Sequence, residues 1–316
     1  MNIVIRAMQN PIPIVTRLSA LTAGPIVVTA DEAALEAAIE PAELLLIPDS
    51  LYSANVARML MRAKRLKWIQ LLSAGFDAVA RHGTPAGIPI TNAGDAFGPS
   101  VATHAIALLL ALQKRFPVFF AAQQKHVWAR HEGPTLAIPY GGTIAVIGFG
   151  HIGSEIGRLL KEFGAQVVAV TRQGLPHPHA DESMPVTRLH ELLPRVDAVV
   201  IALAPSPETR HLIGGPELAL MKKTAVLVNI ARGYVIDCEA LAVALKAGTI
   251  GGAGLDVTEP EPLPEGHPLW DAPNLLITPH MAGASGPVMP NRLAKVAGDN
   301  LARWLKGEPL AHRVLT

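Results

Sequence analysis

The stretch Gly142–Arg172, GTIAVIGFGHIGSEIGRLLKEFGAQVVAVTR, constrains the fold more than any other part of the chain. Thr143 to Ile147 is a β-branched and apolar run, as in a strand buried on both faces. Gly148, Gly150 and Gly153 follow at G-x-G-x-x-G spacing. Such glycines allow a sharp turn, close backbone approach to a pyrophosphate, and close helix–strand packing. A helix starting there turns free N–H groups and its positive dipole end toward phosphate. Ile156, Leu159, Leu160 and Phe163 recur at helical spacing, Gly164 ends the helix, and Gln166 to Val170 is a second strand. With 27 glycines in 316 residues, about 0.2 chance matches to the motif are expected. The strand before it and the helix and strand after it single out a dinucleotide site over a plain glycine turn.

The tip of the second strand bears on which dinucleotide. A carboxylate there would bind the ribose 2′-OH of NAD. Thr171, Arg172 and Gln173 stand there instead, and a guanidinium fits a 2′-phosphate as a bidentate donor. This predicts NADP(H) as the preferred cofactor, with NAD accepted. The alternative is a solvated Arg172 and a site tolerant of both.

A chain of this length suggests two domains. The net charge of +1 gives no reason to expect nucleic acid or an acidic membrane surface as partner. The lone cysteine, Cys238, excludes an intrachain disulfide and suits a reducing cytoplasm. The first residues, MNIVIRAMQNPIP, lack the apolar core of a signal peptide, and the apolar run around Leu108–Leu112 is too short to span a bilayer. No cysteine or HExxH arrangement suggests a metal, and His177 and His179 read as solvated loop residues.

Before the glycine turn, Ile3 to Ile5, Ile26 to Thr29, Leu44 to Ile47, Trp68 to Leu71 and Pro89 to Thr91 read as strands, with helical patterns between several of them. Ser73 to Asp77 follows the fourth, where small residues would let backbone N–H groups reach a carboxylate; an ordinary turn is the alternative. Ser100 to Arg115 is an apolar helix in which His104 reads as packed rather than catalytic, and 116–141 is undecided. After the turn, Ala198 to Leu203, Ala225 to Ile230, Gly252 to Val257 and Leu275 to Thr278 are strands. Val288 to Lys306 is a final helix. Arg232, Asp256, Glu261 and His280 all lie just beyond strand ends, so one parallel sheet would gather them at its carboxyl edge beside the glycine turn.

These segments also carry a resemblance. SAGFD, TNAG, VATHAIALLLAL, VIGFGHIG, APSPETRHLIG, NIARGYVID, GGAGLDVTEPEPLPEGHPLW, NLLITPHMAG and NLARWLKGEPL occur in an order and spacing that resemble the D-isomer-specific 2-hydroxyacid dehydrogenases, from Lys67 onward. The resemblance implies an α/β chain of two doubly wound parallel-sheet domains. A Rossmann cofactor domain, 93–286, would be inserted in a flavodoxin-like substrate domain, 1–92 and 287–316, with hinges near Asn92 and Gly286. It implies Arg232, Glu261 and His280 as the catalytic set, and reduction of a small 2-keto acid such as glyoxylate or hydroxypyruvate. The chemistry agrees: His280 can give the carbonyl oxygen its proton, Glu261 can orient and charge-stabilise the ring, and Arg232 can grip the substrate carboxylate. Ala74 and Gly75 would join Arg232 and His280 in binding substrate. Cofactor contacts are implied at Gly148, Gly150, His151, Ile152, Gly153, Thr171, Arg172, Ala204, Ser206, Ile230, Ala231, Arg232, Asp256, His280, Ala282 and Gly283. Asp256 would hold the nicotinamide carboxamide. A homodimer with the Ser100–Arg115 region near its interface is implied as well.

The chain departs from the family pattern at four places. His151 replaces a common arginine, Thr171-Arg172 replaces the usual acidic tip, and Ala204-Pro205-Ser206 varies a Pro-Leu-Thr turn, where Ser206 could assist a 2′-phosphate. Thr103 stands where glutamate is common. Two other functions stay open on sequence: a dinucleotide-sensing regulatory protein on the same fold, and a dehydrogenase of another substrate such as a phosphonate.

Overall fold

Short apolar runs make most of the strands in the computed structural model, which describes residues 1–6, 10–286 and 288–314. Pro287, where the sequence-predicted first domain resumes, and residues 315–316 lie outside the described residues, as do 7–9 of the N-terminal segment. The chain divides into two units, Met1–Phe97 with Ser285–Thr316, and Gly98–Ala284. The breaks fall after 97 and 284, against 92 and 286 expected from sequence.

The first unit holds β1 (Ile3–Arg6), α1 (Ile12–Ser19), β2 (Ile26–Thr29), α2 (Glu32–Ile39), β3 (Leu44–Ile47), α3 (Ala54–Leu60), β4 (Trp68–Leu71), α4 (Asp77–His82) and β5 (Ile90–Thr91). From the second unit come α5 (Gly98–Gln113), α6 (Phe116–Gln124), β6 (Thr143–Ile147), α7 (His151–Glu162), β7 (Gln166–Thr171), β8 (Glu182–Pro185), α8 (Leu189–Leu192) and β9 (Ala198–Ile201). It continues with α9 (Gly215–Leu220), β10 (Val226–Asn229), α10 (Cys238–Lys246), β11 (Gly252–Leu255) and β12 (Leu275–Ile277). The chain then returns to the first unit for α11 (Val288–Leu305) and β13 (Arg313–Val314).

In the first unit the strand order is β13-β5-β4-β3-β1-β2, parallel except for β13 on β5. Without β13 this is the flavodoxin-like order. β3 and β4 are buried along their length, and a polar knot lies inside: Trp68 Nε1 donates to Thr91 Oγ1 (2.8 Å), and Gln70 Oε1 accepts from Thr91 Oγ1 (2.8 Å) and Asn300 Nδ2 (3.1 Å). A full set of partners is what lets such groups stay buried.

The second unit has the all-parallel order β12-β11-β10-β9-β6-β7-β8. This is the Rossmann order with one further strand, and β6 meets β9 at the point where the winding reverses. Ile156 and Leu160 of α7 are fully buried, whereas Phe163 is exposed. α5 covers β11 so closely that a Cβ on Gly254 would stand 3.1 Å from Leu108 and Leu112 side-chain atoms. Both sheets are the doubly wound α/β architecture predicted from sequence. Among the described residues no single helix is long and apolar enough to cross a membrane; α5 and α6 would reach that length only together, and they meet at 62°.

Candidate active site

The glycine turn follows β6, at the switch point. Gly148 has φ +91°, and a Cβ on it would stand 2.7 Å from the backbone of Ala202 at the end of β9. A Cβ on Gly153 would stand within van der Waals contact of Gly148 O. Both are therefore fixed by the turn's own geometry. Gly150 differs: nothing lies within 4 Å of its Cβ position, and it caps the N-terminus of α7 without a side-chain hydrogen bond. Open space beside a helix N-terminus of 12 residues fits a pyrophosphate. His151 beside it is exposed and Ile152 half-buried.

Beyond β7, Thr171 Oγ1 accepts from Gly174 N (2.9 Å), and Arg172 is 81 % exposed. Arg172 meets Glu208 at 3.4 Å. Beyond β9, Ala204 is exposed; Ser206 Oγ accepts from Glu208 N (3.3 Å), and Ser206 N donates to the Tyr234 hydroxyl (3.1 Å). His177 and His179 are half-buried rather than solvated, because His177 packs edge-on against Phe149 at 4.7 Å. Burial, and then the neighbouring His179, hold His177 below the ordinary histidine pKa.

Beyond β10, Ile230 and Ala231 are buried, and the fully buried Asn229 braces the turn: its Oδ1 accepts from Ala231 N (3.0 Å) and its Nδ2 donates to Arg232 O (2.9 Å). Arg232 Nη1 donates to Ala231 O (2.7 Å), which pins one arm of the guanidinium. Beyond β11, Asp256 is 2 % exposed and both carboxylate oxygens are engaged. Oδ1 accepts from Thr278 Oγ1 (2.6 Å) and Met281 N (3.0 Å), and Oδ2 from Ala282 N (2.9 Å). Thr278 spends its one hydroxyl proton on Asp256, so the contact of His104 Nε2 with Thr278 Oγ1 (2.9 Å) requires a proton on Nε2.

Those bonds shape the turn after β12. His280 adopts φ +50° there, a left-handed conformation that is unusual for a residue with a Cβ. Its N–H donates to Asp256 O (2.7 Å), and its Nδ1 lies 2.7 Å from Glu261 Oε1, with both side chains about half exposed. Ser100 on α5 secures the following segment by sharing its one hydroxyl proton between Ala282 O (2.9 Å) and Ala284 O (3.0 Å), on either side of Gly283. In the first unit, Ala74 and Gly75 follow β4. Their carbonyls accept from Asn92 Nδ2 (2.8 Å) and Ser73 Oγ (3.0 Å), and their N–H groups donate to no described residue.

The second unit thus gathers Arg232, Asp256, Glu261 and His280 beyond the ends of its strands, with Glu261 and His280 in direct contact. Sequence reasoning assigned no role to the residues that brace this edge: Asn229 and Thr278 lie inside the motifs of the family resemblance but were given none, and Ser100 lies outside them. A cavity of about 740 Å³ lies elsewhere, between α6 and the following turn, and is lined by Phe119, His126, Trp128 and Arg130 among others. Its lining has no carboxylate, so it holds no histidine–carboxylate pair like that of His280 and Glu261. Among the described residues no three histidine, cysteine, aspartate or glutamate side chains converge to hold a metal.

The family model for the NAD-binding domain of D-isomer-specific 2-hydroxyacid dehydrogenases matches residues 106–282. A glyoxylate reductase of Thermococcus gammatolerans is 37 % identical over 253 residues, which cover 78 % of this chain and 75 % of that protein. The crystal structure of a D-isomer-specific 2-hydroxyacid dehydrogenase family protein from Aeromonas salmonicida superimposes with a TM-score of 0.87 at 28 % identity, covering 99 % of this chain and 98 % of the other. A D-isomer-specific 2-hydroxyacid dehydrogenase from Xanthobacter autotrophicus, solved in complex with NADPH and MES, gives 0.82 at 26 % identity with the same coverage.

Proposed function

The chain belongs to the D-isomer-specific 2-hydroxyacid dehydrogenase family and is a 2-hydroxyacid dehydrogenase; on that premise we propose that it reduces a small 2-keto acid of the glyoxylate or hydroxypyruvate kind to the D-2-hydroxy acid, with NADPH preferred and NADH accepted. The contact between His280 Nδ1 and Glu261 Oε1 carries this reading. It commits Nδ1 to the carboxylate and leaves Nε2 as the atom able to exchange a proton with substrate.

The nicotinamide cofactor, when bound, supplies the hydride that goes to the carbonyl carbon. His280 Nε2 gives its proton to the carbonyl oxygen, and the imidazole left behind keeps its Nδ1 proton on Glu261. Arg232 grips the substrate carboxylate through its guanidinium and polarises the carbonyl. In the first unit the N–H groups of Ala74 and Gly75, which donate to no described residue, are themselves able to receive a carboxylate. Asp256 holds the His280 turn in place, and Oδ2, with one bond made, keeps a lone pair for the carboxamide of the cofactor. In the oxidative direction His280 takes the proton.

Gly148, Gly150, His151, Ile152 and Gly153 form the pyrophosphate cradle. Thr171, Arg172, Ala204 and Ser206 face the adenosine end, and Ile230, Ala231, Ala282 and Gly283 line the nicotinamide end. Arg172, with no acidic residue at the strand tip, supports the NADPH preference. The NADPH bound by the Xanthobacter relative agrees with it. A second copy of the chain is the natural cover for α6, which buries none of its own residues and exposes Phe116 and Phe120. The buried thiol of Cys238 suits a cytoplasmic protein.

A panel of 2-keto acids assayed with NADPH and NADH tests the assignment. Turnover of glyoxylate or hydroxypyruvate is the expected result, and binding of NADPH without reduction of any 2-keto acid would overturn it. His280→Ala should lower kcat by about 10²- to 10⁴-fold while dinucleotide binding persists; near-parental turnover would remove His280 from the proton transfer.

A further inference from the structure

The order β9-β6-β7 places the carboxyl ends of β7 and β9 on either side of the strand that carries the glycine turn. Arg172 leaves the end of β7, and Glu208 sits in the short helical turn Pro207–Thr209 beyond β9. Arg172 Nη2 and Glu208 Oε2 lie 3.4 Å apart, so an ion pair joins the two strands that flank β6. The two side chains are 81 % and 77 % exposed. A pair so open adds next to nothing to stability. The backbone of Glu208 is nonetheless anchored: its N–H donates to Ser206 Oγ, and Ser206 N donates to the Tyr234 hydroxyl. The turn therefore holds a carboxylate in front of the one cation at the tip of β7, and Arg172 is the only described partner of that carboxylate.

We propose that Glu208 is a specificity-determining residue for the cofactor: its carboxylate competes with the 2′-phosphate of NADPH for Arg172 and narrows the preference that Arg172 alone would set. This rests on the reading of Arg172 as the phosphate contact. A phosphate monoester brings about 1.5 to 2 negative charges. Set against the same guanidinium, it would lie roughly 6 Å from the Glu208 carboxylate, a repulsion of about three- to tenfold in affinity, smaller as salt rises. NADH offers a neutral hydroxyl at that place and meets no such penalty. The acidic tip that favours NAD at the end of the second strand in other Rossmann domains is absent here; a carboxylate from beyond β9, on the far side of β6, supplies part of the same discrimination.

The test is the dissociation constant for NADPH and for NADH, measured by fluorescence titration of the full chain at low ionic strength, for the parent, Glu208→Gln, Glu208→Lys and Arg172→Ala. Glu208→Gln should raise the affinity ratio of NADPH over NADH by about three- to tenfold. Glu208→Lys should raise it further, and both gains should shrink in high salt. Arg172→Ala should lower the ratio. An unchanged ratio in Glu208→Gln and Glu208→Lys, with a fall in Arg172→Ala, overturns the role of Glu208 and leaves that of Arg172 standing. An unchanged ratio in Arg172→Ala removes the phosphate contact itself, and this proposal with it.

Discussion

Replacing Asp256 by Asn should both destabilise the second unit and slow the reaction, because one buried carboxylate holds the whole turn that carries His280. Asp256 accepts three hydrogen bonds at 2.6–3.0 Å and is 2 % exposed. An asparagine has one oxygen to offer. Placed to keep the Thr278 and Met281 bonds, its amide would face the Ala282 N–H, donor against donor. Stranding that N–H costs about 1–3 kcal/mol, and the two surviving bonds lose their charge assistance, for a total of about 2–5 kcal/mol. At about 2–4 °C per kcal/mol for a unit of this size, the melting temperature should fall by roughly 5–15 °C. The left-handed His280 would then lose the scaffold that offsets its strain. A displacement of about 1 Å at a reacting group can cost about 10²-fold, so kcat should drop by about 10- to 100-fold. Thermal unfolding followed by circular dichroism gives the first number, and steady-state kinetics with NADPH and a 2-keto acid the second. A variant melting with the parent and turning over at the parental rate would refute the reasoning, since both effects arise from the same bonds.

Two glycines of one motif should respond in opposite ways. Gly153→Ala should fail to fold normally, because its Cβ would collide with Gly148 O; Gly150→Ala, with open space around it, should keep parental thermal stability yet bind NADPH at least about tenfold more weakly. Unimpaired binding by Gly150→Ala would move the pyrophosphate away from this turn. Asp181 carries a pH signature: the hydrogen bond from Lys161, and then that from Val167 N, hold its carboxyl below the usual aspartate range. A depressed carboxylate stabilises above its unfolded pKa, and that contribution is lost as pH falls through its lowered folded value. Asp181→Asn should therefore cost about 1 kcal/mol at neutral pH, with the gap to the parent closing below about pH 4; urea denaturation at neutral and acid pH reads this, and a constant gap would contradict it. Phe120→Glu, on the exposed face of α6, should shift a dimer to monomers in sedimentation equilibrium without lowering the melting temperature of the monomer. A dimer unaffected by that charge would place its interface elsewhere.

Some of this was legible residue by residue. The β6–turn–α7–β7 unit follows from local spacing, because a buried parallel strand must be apolar throughout and a glycine turn must be glycine where φ is positive. The runs of β3, β4 and β10 are equally plain. Other elements carry no such signal. β8, ESMP, has one fully buried residue and forms because β7 offers it an open edge. β13 is two residues long and exists through its pairing with β5. α6 shows no buried face of its own.

The site divides in the same way. Arg232, Asp256, Glu261 and His280 could be assigned to one edge from their positions past strand ends, since a parallel sheet delivers every such position there; the family resemblance then implied Arg232, Glu261 and His280 as the reacting set. Which groups then touch was decided by strand order and turn conformation, which no local window of sequence contains. Glu261 reaches His280 across 19 residues, Thr278 reaches Asp256 across 22, and Arg172 meets Glu208 across 36. Hydrogen bonds and ion pairs act over about 3 Å, and separations that short arise only when the packed sheet brings distant strand ends side by side. The sequence by itself determined that a dinucleotide turn and a set of polar residues would share one edge. Only the tertiary structure decided that Asp256 lies buried as the support of the His280 turn, and that a carboxylate faces Arg172.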